Sequence, residues 1–274
     1  GINSQYFVLH RKEERATPWS RPFDNYYTYD VSKMDQWQIV LDHMMQKGVA
    51  AHLVFSESKI QSVFEAEFPS ADPNFSDARK LYFREIIARF GYLNAVFWNI
   101  GEENGWDREI GDPFVGPEGK AITTQQRLDF AAYLDNLTYY EDFITVHNGP
   151  SHDTRIFDDI QGENSIDGIS MQGFFGNPER GKGDTERYRY ESAISGKKWV
   201  IYYDEAFHFS SPGIVPFRKN VLWPTLTSGG AGVEHFVTEG GDVTLEDLRF
   251  ADEYFTHMKY AYDLYHDNDI PFQE

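Results

Sequence analysis

The chain has 274 residues, 41% of them hydrophobic, enough for a sizeable core in one large domain or two small ones. Its 44 acidic and 25 basic residues leave a net charge of −19, which argues against nucleic acid and against an anionic membrane surface, since both need clustered Lys and Arg. There is no cysteine, so disulfides, thiolate metal sites and a Cys nucleophile are excluded, and no window approaches the roughly 18 unbroken apolar residues of a membrane span.

Strand-like and helix-like stretches alternate from end to end. The first apolar run, Asn3–Leu9, is read as a buried strand that delivers His10 and Arg11 at its end. The amphipathic stretch Met34–Lys47 is a helix stopped by Gly48. The run Val49–Phe55 is the second strand and delivers Ser56 and Glu57. Asp77–Phe90 is a helix, capped by Ser76-Asp77 and ended by Gly91. The third strand, Asn94–Ile100, runs out in Gly101 and two adjacent acids, Glu102 and Glu103, followed by Asn104. Helix Thr123–Thr138 leads to strand Phe143–His147, which ends in His147 and Asn148. A weaker helix, Asp153–Ile160, precedes strand Gly168–Gln172. Helix Thr185–Ser195 precedes strand Trp199–Tyr203, which presents Asp204 and Glu205 and then His208. Helix Pro216–Leu226, strand Ala231–Val237 with Glu234 and His235, and helix Leu245–Tyr265 complete the chain. Thr244 and Asp247 are read as the N-cap signal of that last helix.

Strand, helix, strand, helix without hairpin signals predicts an α/β chain with a parallel sheet. Seven such units are visible, where a (β/α)8 TIM barrel needs eight. The expected architecture is therefore a barrel lacking its first strand and helix, an N-terminally truncated single domain over residues 1–274. An open doubly wound sheet is the alternative, but the first strand leads into Leu9-His10-Arg11-Lys12 and not into a glycine-rich phosphate loop. No Pro/Ser-rich linker, low-complexity run or further repeat divides the chain.

In a parallel barrel, residues at the strand C-termini meet at one face. Acids, amides and imidazoles dominate those positions here. No Gly-x-Ser-x-Gly elbow and no Walker-type loop occurs. Two carboxylates on strands three apart are what glycoside hydrolysis requires, and in a retaining mechanism they lie about 5 Å from one another. Glu103 and Glu205 fit that spacing. Aromatics are 16% of the chain, which suits either a large core or a cleft of flat rings that stack on sugar C–H faces.

The segment WNIGEENG resembles the acid/base strand of the large clan of retaining (β/α)8 glycosidases that includes the β-galactosidases, whose pattern reads W-x-[IL]-G-N-E-x-G. KKWVIYYDEAFH resembles that clan's nucleophile strand. The runs YYTYDVSKMDQWQIVLDHMMQKGVAAHLVFSE and GGAGVEHF more narrowly resemble a bacterial barrel family of glycosidase type, whose members often carry extra N-terminal and C-terminal β domains. The resemblance implies Glu103 as acid/base, flanked by apolar neighbours such as Trp98 or Trp106, and Glu205 as nucleophile, held by Tyr203 or Asn148. One position departs from the pattern: Glu102 stands where the clan has the Asn that holds the sugar 2-hydroxyl. Either Glu102 accepts a hydrogen bond from that hydroxyl or Asn104 supplies the contact.

Further substrate contacts are assigned to Glu57, His147, Gln172 and His208. Alternatives stay open for several of these. Glu57 can be a surface acid, the histidines can be structural, and Asp204 can be the acting acid, since strand alternation places Asp204 and Glu205 on opposite faces. No cofactor or metal is implied, and the expected partner is a poly- or oligosaccharide. Two rival functions remain: a non-catalytic carbohydrate-binding barrel, and a metal-dependent hydrolase using His147 and His152 or Asp204, Glu205 and His208. The thiol-free composition suits a secreted or periplasmic bacterial enzyme. Gly1-Ile2-Asn3-Ser4 has no signal-peptide pattern.

Overall fold

The structure, a computed structural model, describes residues 3–10, 17–20, 26–57, 64–65, 70–104, 122–140, 142–148, 155–173, 178–205, 213–234 and 249–271. The described chain forms two compact units, one from Ser4 to Asp167 and one from Gly168 onward that also takes in Asn3. Both are α/β units with parallel strands.

In the first unit, β1 (Ser4–Val8), β2 (Ala50–Val54), β3 (Val96–Asn99) and β4 (Phe143–His147) pair in chain order. Between them run α1 (Val31–Gln46), α2 (Asp77–Phe90) and α3 (Thr124–Leu137), and the short α4 (Arg155–Asp158) follows β4. The helix ends follow local chemistry. Asp30 accepts from Lys33 N and Ser76 from Arg79 N, and Thr123 and Gln126 form a reciprocal capping box. After α1 the chain turns at Gly48, whose φ of +69° is a left-handed conformation that glycine adopts at no steric cost.

The strand register sorts the side chains into two faces, because residues paired across a sheet share a face. Phe7, Leu53, Trp98 and Ile144 lie in one row. This is the helix-covered face: Trp98 stacks on Phe55 at 5.9 Å, and Phe55 packs on Phe83 of α2 at 4.6 Å. Tyr6, His52, Phe97 and Phe143 form a row on the opposite face, and Val8, Val54, Asn99 and Thr145 form the next. That face is aromatic and polar, an unusual composition for the interior of strands that are buried.

A second buried assembly lies beyond the end of β1. His10 is fully enclosed by Trp19, Tyr26, Phe64 and Tyr82, with ring centroids 4.6 to 6.3 Å away. This desolvation, reinforced by the nearby Arg79 guanidinium, lowers its pKa from 6.5 to about 3. The unfolded chain therefore binds a proton at His10 that the folded chain refuses between pH 6.5 and pH 3. Stability is fully present above pH 6.5 and falls with acidification, by up to about 1.4 kcal/mol per pH unit from this group. Urea unfolding at pH 7, 6 and 5 checks it: His10→Gln is expected to flatten the decline relative to the native chain.

In the second unit, β5 (Gly168–Gln172), β6 (Val200–Glu205) and β7 (Gly232–Val233) pair in chain order. Helix α5 (Pro178–Ile194) joins β5 to β6. The helix expected over Pro216–Leu226 is three pieces: α6 (Ile214–Pro216), a π-helical stretch Phe217–Leu222 and α7 (Trp223–Thr227). Pro216 and Pro224 bracket the stretch, and neither carries the N–H that a continuous α-helical ladder uses. The last helix, α8 (Asp252–Asp267), begins seven residues later than the expected Leu245, after a 3-10 turn at Arg249–Ala251 and with no side-chain cap. The expected cap at Thr244 lies outside the described residues. No helix among the described residues is long and apolar enough to cross a membrane.

Candidate active site

The C-terminal ends of the first unit's strands carry a nearly unbroken group of buried polar residues: Ser56, Glu57, Asn99, Asn104, Thr145, His147 and Asn148. Glu102 and Glu103, half-buried, occupy the turn that follows β3. Glu103 has φ +50°, the left-handed region that non-glycine residues enter at a cost. Such strain persists where the surroundings over-determine it.

The surroundings here hold the turn from both ends. Glu102 N donates to Ser56 O at 2.8 Å and Asn104 N donates to His147 O at 2.9 Å. Asn104 and Asn148 extend the β3–β4 pairing as a parallel bridge beyond the strands. Inside the turn, Gly101 N donates to Asn99 Oδ1 at 3.2 Å and Asn104 Nδ2 donates to Gly101 O at 2.6 Å. Asn99 Nδ2 in turn pairs with His52 Nε2 at 3.0 Å. Gly101 is required by close approach: a Cβ there would stand 2.9 Å from Ser56 Oγ and 3.0 Å from Asn104 Nδ2. Tyr6 on β1 donates from its hydroxyl to Glu102 Oε1 at 3.3 Å, and its ring meets His52 edge-on at 4.8 Å.

Among the positions assigned from sequence, Glu57, Glu102, Glu103, Asn104, His147 and Asn148 are brought together at these strand ends. Glu57 is buried, with its N–H on His10 O at 3.0 Å, so it is not a surface acid. Trp98 does not flank Glu103. It lies on the helix-covered face and donates from Nε1 to Asp142 at 3.0 Å, because alternation along β3 puts it on the face opposite its neighbour Asn99. Trp106 lies outside the described residues.

The second unit carries the other acids. Met171 pairs with Tyr203, but Gln172 pairs with Glu205, so Asp204 is an extra residue on β6, a β-bulge. The bulge resets the alternation. Glu205 shares a face with Gln172 and Ser170, and Ser170 donates from Oγ to Asp204 Oδ2, so both acids stand on that one face. The opposite-face expectation for Asp204 and Glu205 is thereby corrected. Tyr203 is turned the other way: fully buried, it donates from its hydroxyl to Gly181 O of α5 at 3.4 Å. Gln172 is buried at the end of β5 and Glu234, half-buried, follows β7 with its N–H on Tyr203 O at 2.6 Å. His208, His152 and His235 lie outside the described residues.

No protein-family model and no curated protein sequence matches the chain. Solved structures do. An endo-β-1,4-mannanase from Thermotoga petrophila superposes with a TM-score of 0.60 at 12% identity, over 92% of this chain and 65% of that one. A Bacteroides vulgatus protein to which a glycoside hydrolase role is ascribed gives 0.59 at 16% identity, over 96% of this chain and 52% of its own. Endo-glycoceramidase II from Rhodococcus sp., solved as a lactosyl–enzyme intermediate, gives 0.53 at 12% identity, over 87% and 65%.

This chain has the fold of solved glycoside hydrolases.

The chain spans about half the length of the Bacteroides vulgatus protein and about two thirds of the other two. On this glycoside-hydrolase fold, the residues missed from sequence are Tyr6, His52, Asn99 and Ser170. All lie within or at the last residue of strands, whereas the sequence signal for a site lies beyond the strand ends. Polar side chains at matching positions of successive apolar runs could have revealed them.

Proposed function

We propose that this chain is the catalytic part of a retaining glycoside hydrolase of the (β/α)8-barrel kind, with Glu103 as acid/base and Glu205 as nucleophile. The observation that carries the reading is the turn after β3, which holds a half-buried Glu103 in a left-handed conformation between two backbone anchors. The similarity of fold to glycoside hydrolases supports it, as does the lactosyl–enzyme intermediate of the Rhodococcus enzyme, since a double displacement passes through a glycosyl–enzyme intermediate.

In the first step, the Glu205 carboxylate attacks the anomeric carbon while Glu103 delivers its proton to the departing glycosidic oxygen. In the second, Glu103 takes a proton from water, the water oxygen attacks the same carbon, and the Glu205 carboxylate leaves. Glu57, Glu102, Asn104, His147, Asn148 and Gln172 supply acceptors and donors for sugar hydroxyls. Tyr203 has no part in this scheme, because its hydroxyl serves α5. Asp204 acts on Ser170, leaving Glu205 as the acting acid of that pair.

A panel of 4-nitrophenyl glycosides together with mannan, glucan and galactan tests the reaction class. The expected result is hydrolysis of one sugar type, with proton NMR showing the first-formed anomer in the configuration of the substrate. A first-formed product of inverted configuration would rule out double displacement.

A further inference from the structure

We propose that Tyr6 is a positioning residue for proton transfer by Glu103, fixing from β1 the Gly101–Glu102 side of the turn that carries it. This rests on the acid/base reading of Glu103 given above. Tyr6 touches the turn by two separate routes. Its hydroxyl donates to Glu102 Oε1 at 3.3 Å, which ties down the side chain immediately before Glu103. Its ring backs His52 at 4.8 Å, and His52 pairs with Asn99, whose Oδ1 accepts from Gly101 N. The two routes join β1 and β2 to the turn, while Asn104 N on His147 O joins β4. The ring of His147 also lies 6.5 Å from that of Tyr6, edge-on, so one side chain of β1 has partners on β2, on β4 and in the turn after β3.

The geometry explains why this matters for Glu103 in particular. A left-handed residue between two ordinary ones relaxes readily if either neighbour is released. Glu102 N is anchored on Ser56 O, but its carboxylate sits on a flexible side chain, and Tyr6 holds it in one place. Proton delivery needs the acid within hydrogen-bond reach of the leaving oxygen, and displacements near 1 Å cost about 100-fold. Glu102, in the place where the resemblance expects an amide, is thereby a partner of Tyr6, and this pairing is a property of this chain.

The test uses Tyr6→Phe, which removes the hydroxyl and keeps the ring, together with Glu102→Gln and the double variant. Two readouts are taken. Urea unfolding midpoints need no substrate: Tyr6→Phe is expected to lower the midpoint in the native background and to change it little in the Glu102→Gln background, since the bond is already weakened there. Additive shifts overturn the pairing. The second readout compares phenyl with 2,4-dinitrophenyl glycosides of the sugar chosen by the panel. Dinitrophenolate leaves without protonation, so Tyr6→Phe is expected to lower kcat/KM, which reports the first step alone, about 10–100-fold on the phenyl glycoside and about 3-fold or less on the other. Equal losses on both, or loss of neither, overturn the positioning role. Full activity of Glu103→Gln on the phenyl glycoside would instead remove the acid/base reading itself, whatever the Tyr6 cycle shows.

Discussion

Glu205→Gln is expected to reduce kcat on a 4-nitrophenyl glycoside by about 10⁴-fold or more, because no covalent intermediate can form without the carboxylate. Glu103→Gln is expected to cost about 10²–10⁴-fold on substrates with poor leaving groups, the range typical of general acid catalysis. Azide separates the two roles. In Glu205→Ala, azide enters in place of the missing carboxylate and attacks the substrate directly, giving a glycosyl azide of inverted configuration. In Glu103→Ala, it intercepts the glycosyl–enzyme intermediate and gives retained configuration. Product NMR reads the difference, and reversed stereochemistry would exchange the assignments. Asp204→Asn supplies the contrast, since Asp204 is engaged by Ser170, and its loss should be the smaller. Full activity in both Glu variants would sink the proposed mechanism.

The second large effect concerns stability. Arg79 and Glu65 form a buried ion pair, Arg79 donating from Nη2 at 2.6 Å and from Nε at 2.8 Å, with side-chain exposures of 1% and 6%. Ser76, the N-cap of α2, also donates to Glu65 from its hydroxyl at 3.2 Å and from its backbone at 3.3 Å. The Arg79 guanidinium further lies over Phe130 at 4.4 Å and Phe64 at 4.8 Å. Glu65→Gln takes the Glu65 counter-charge from a buried guanidinium and loosens the start of α2. The expected cost is about 3–5 kcal/mol, which for a protein of this size lowers Tm by about 10 °C. Arg79→Met should cost a similar amount, since it removes the charge partner of Glu65 and strips the cation's contacts with Phe64, Phe83 and Phe130. The double variant should cost less than the sum of the two, because neither charge is then left alone. Calorimetry of the three variants at pH 7 checks both the size and the non-additivity.

Much of the architecture was legible in the chain itself. The β4 and β5 boundaries, Phe143–His147 and Gly168–Gln172, match the apolar runs residue for residue, and α2 starts and ends where Ser76 and Gly91 predict. Local signals decide such elements: an apolar run of strand length, a side-chain cap, a glycine stop. The π-helical stretch at Phe217–Leu222 and the late start of α8 at Asp252 were not legible in the same way. Apolar periodicity across Pro224 reads as continuous helix, although the proline cannot donate to the ladder.

The candidate site divides along the same line. Read alone, the chain already shows that acids and amides follow the strands, with Glu102 and Glu103 after the third of them. Composition and strand spacing are local properties of the chain, and they suffice for that. Which face each residue takes depends on how the strands pair and pack. The bulge at Asp204 puts Glu205 in register with Gln172, and Tyr203 turns to α5. Trp98 goes to the helices, while Tyr6, 96 residues distant in sequence, closes on Glu102. Register between strands and the placement of one extra residue are pairwise, long-range choices, settled by packing and hydrogen bonds that no single segment contains.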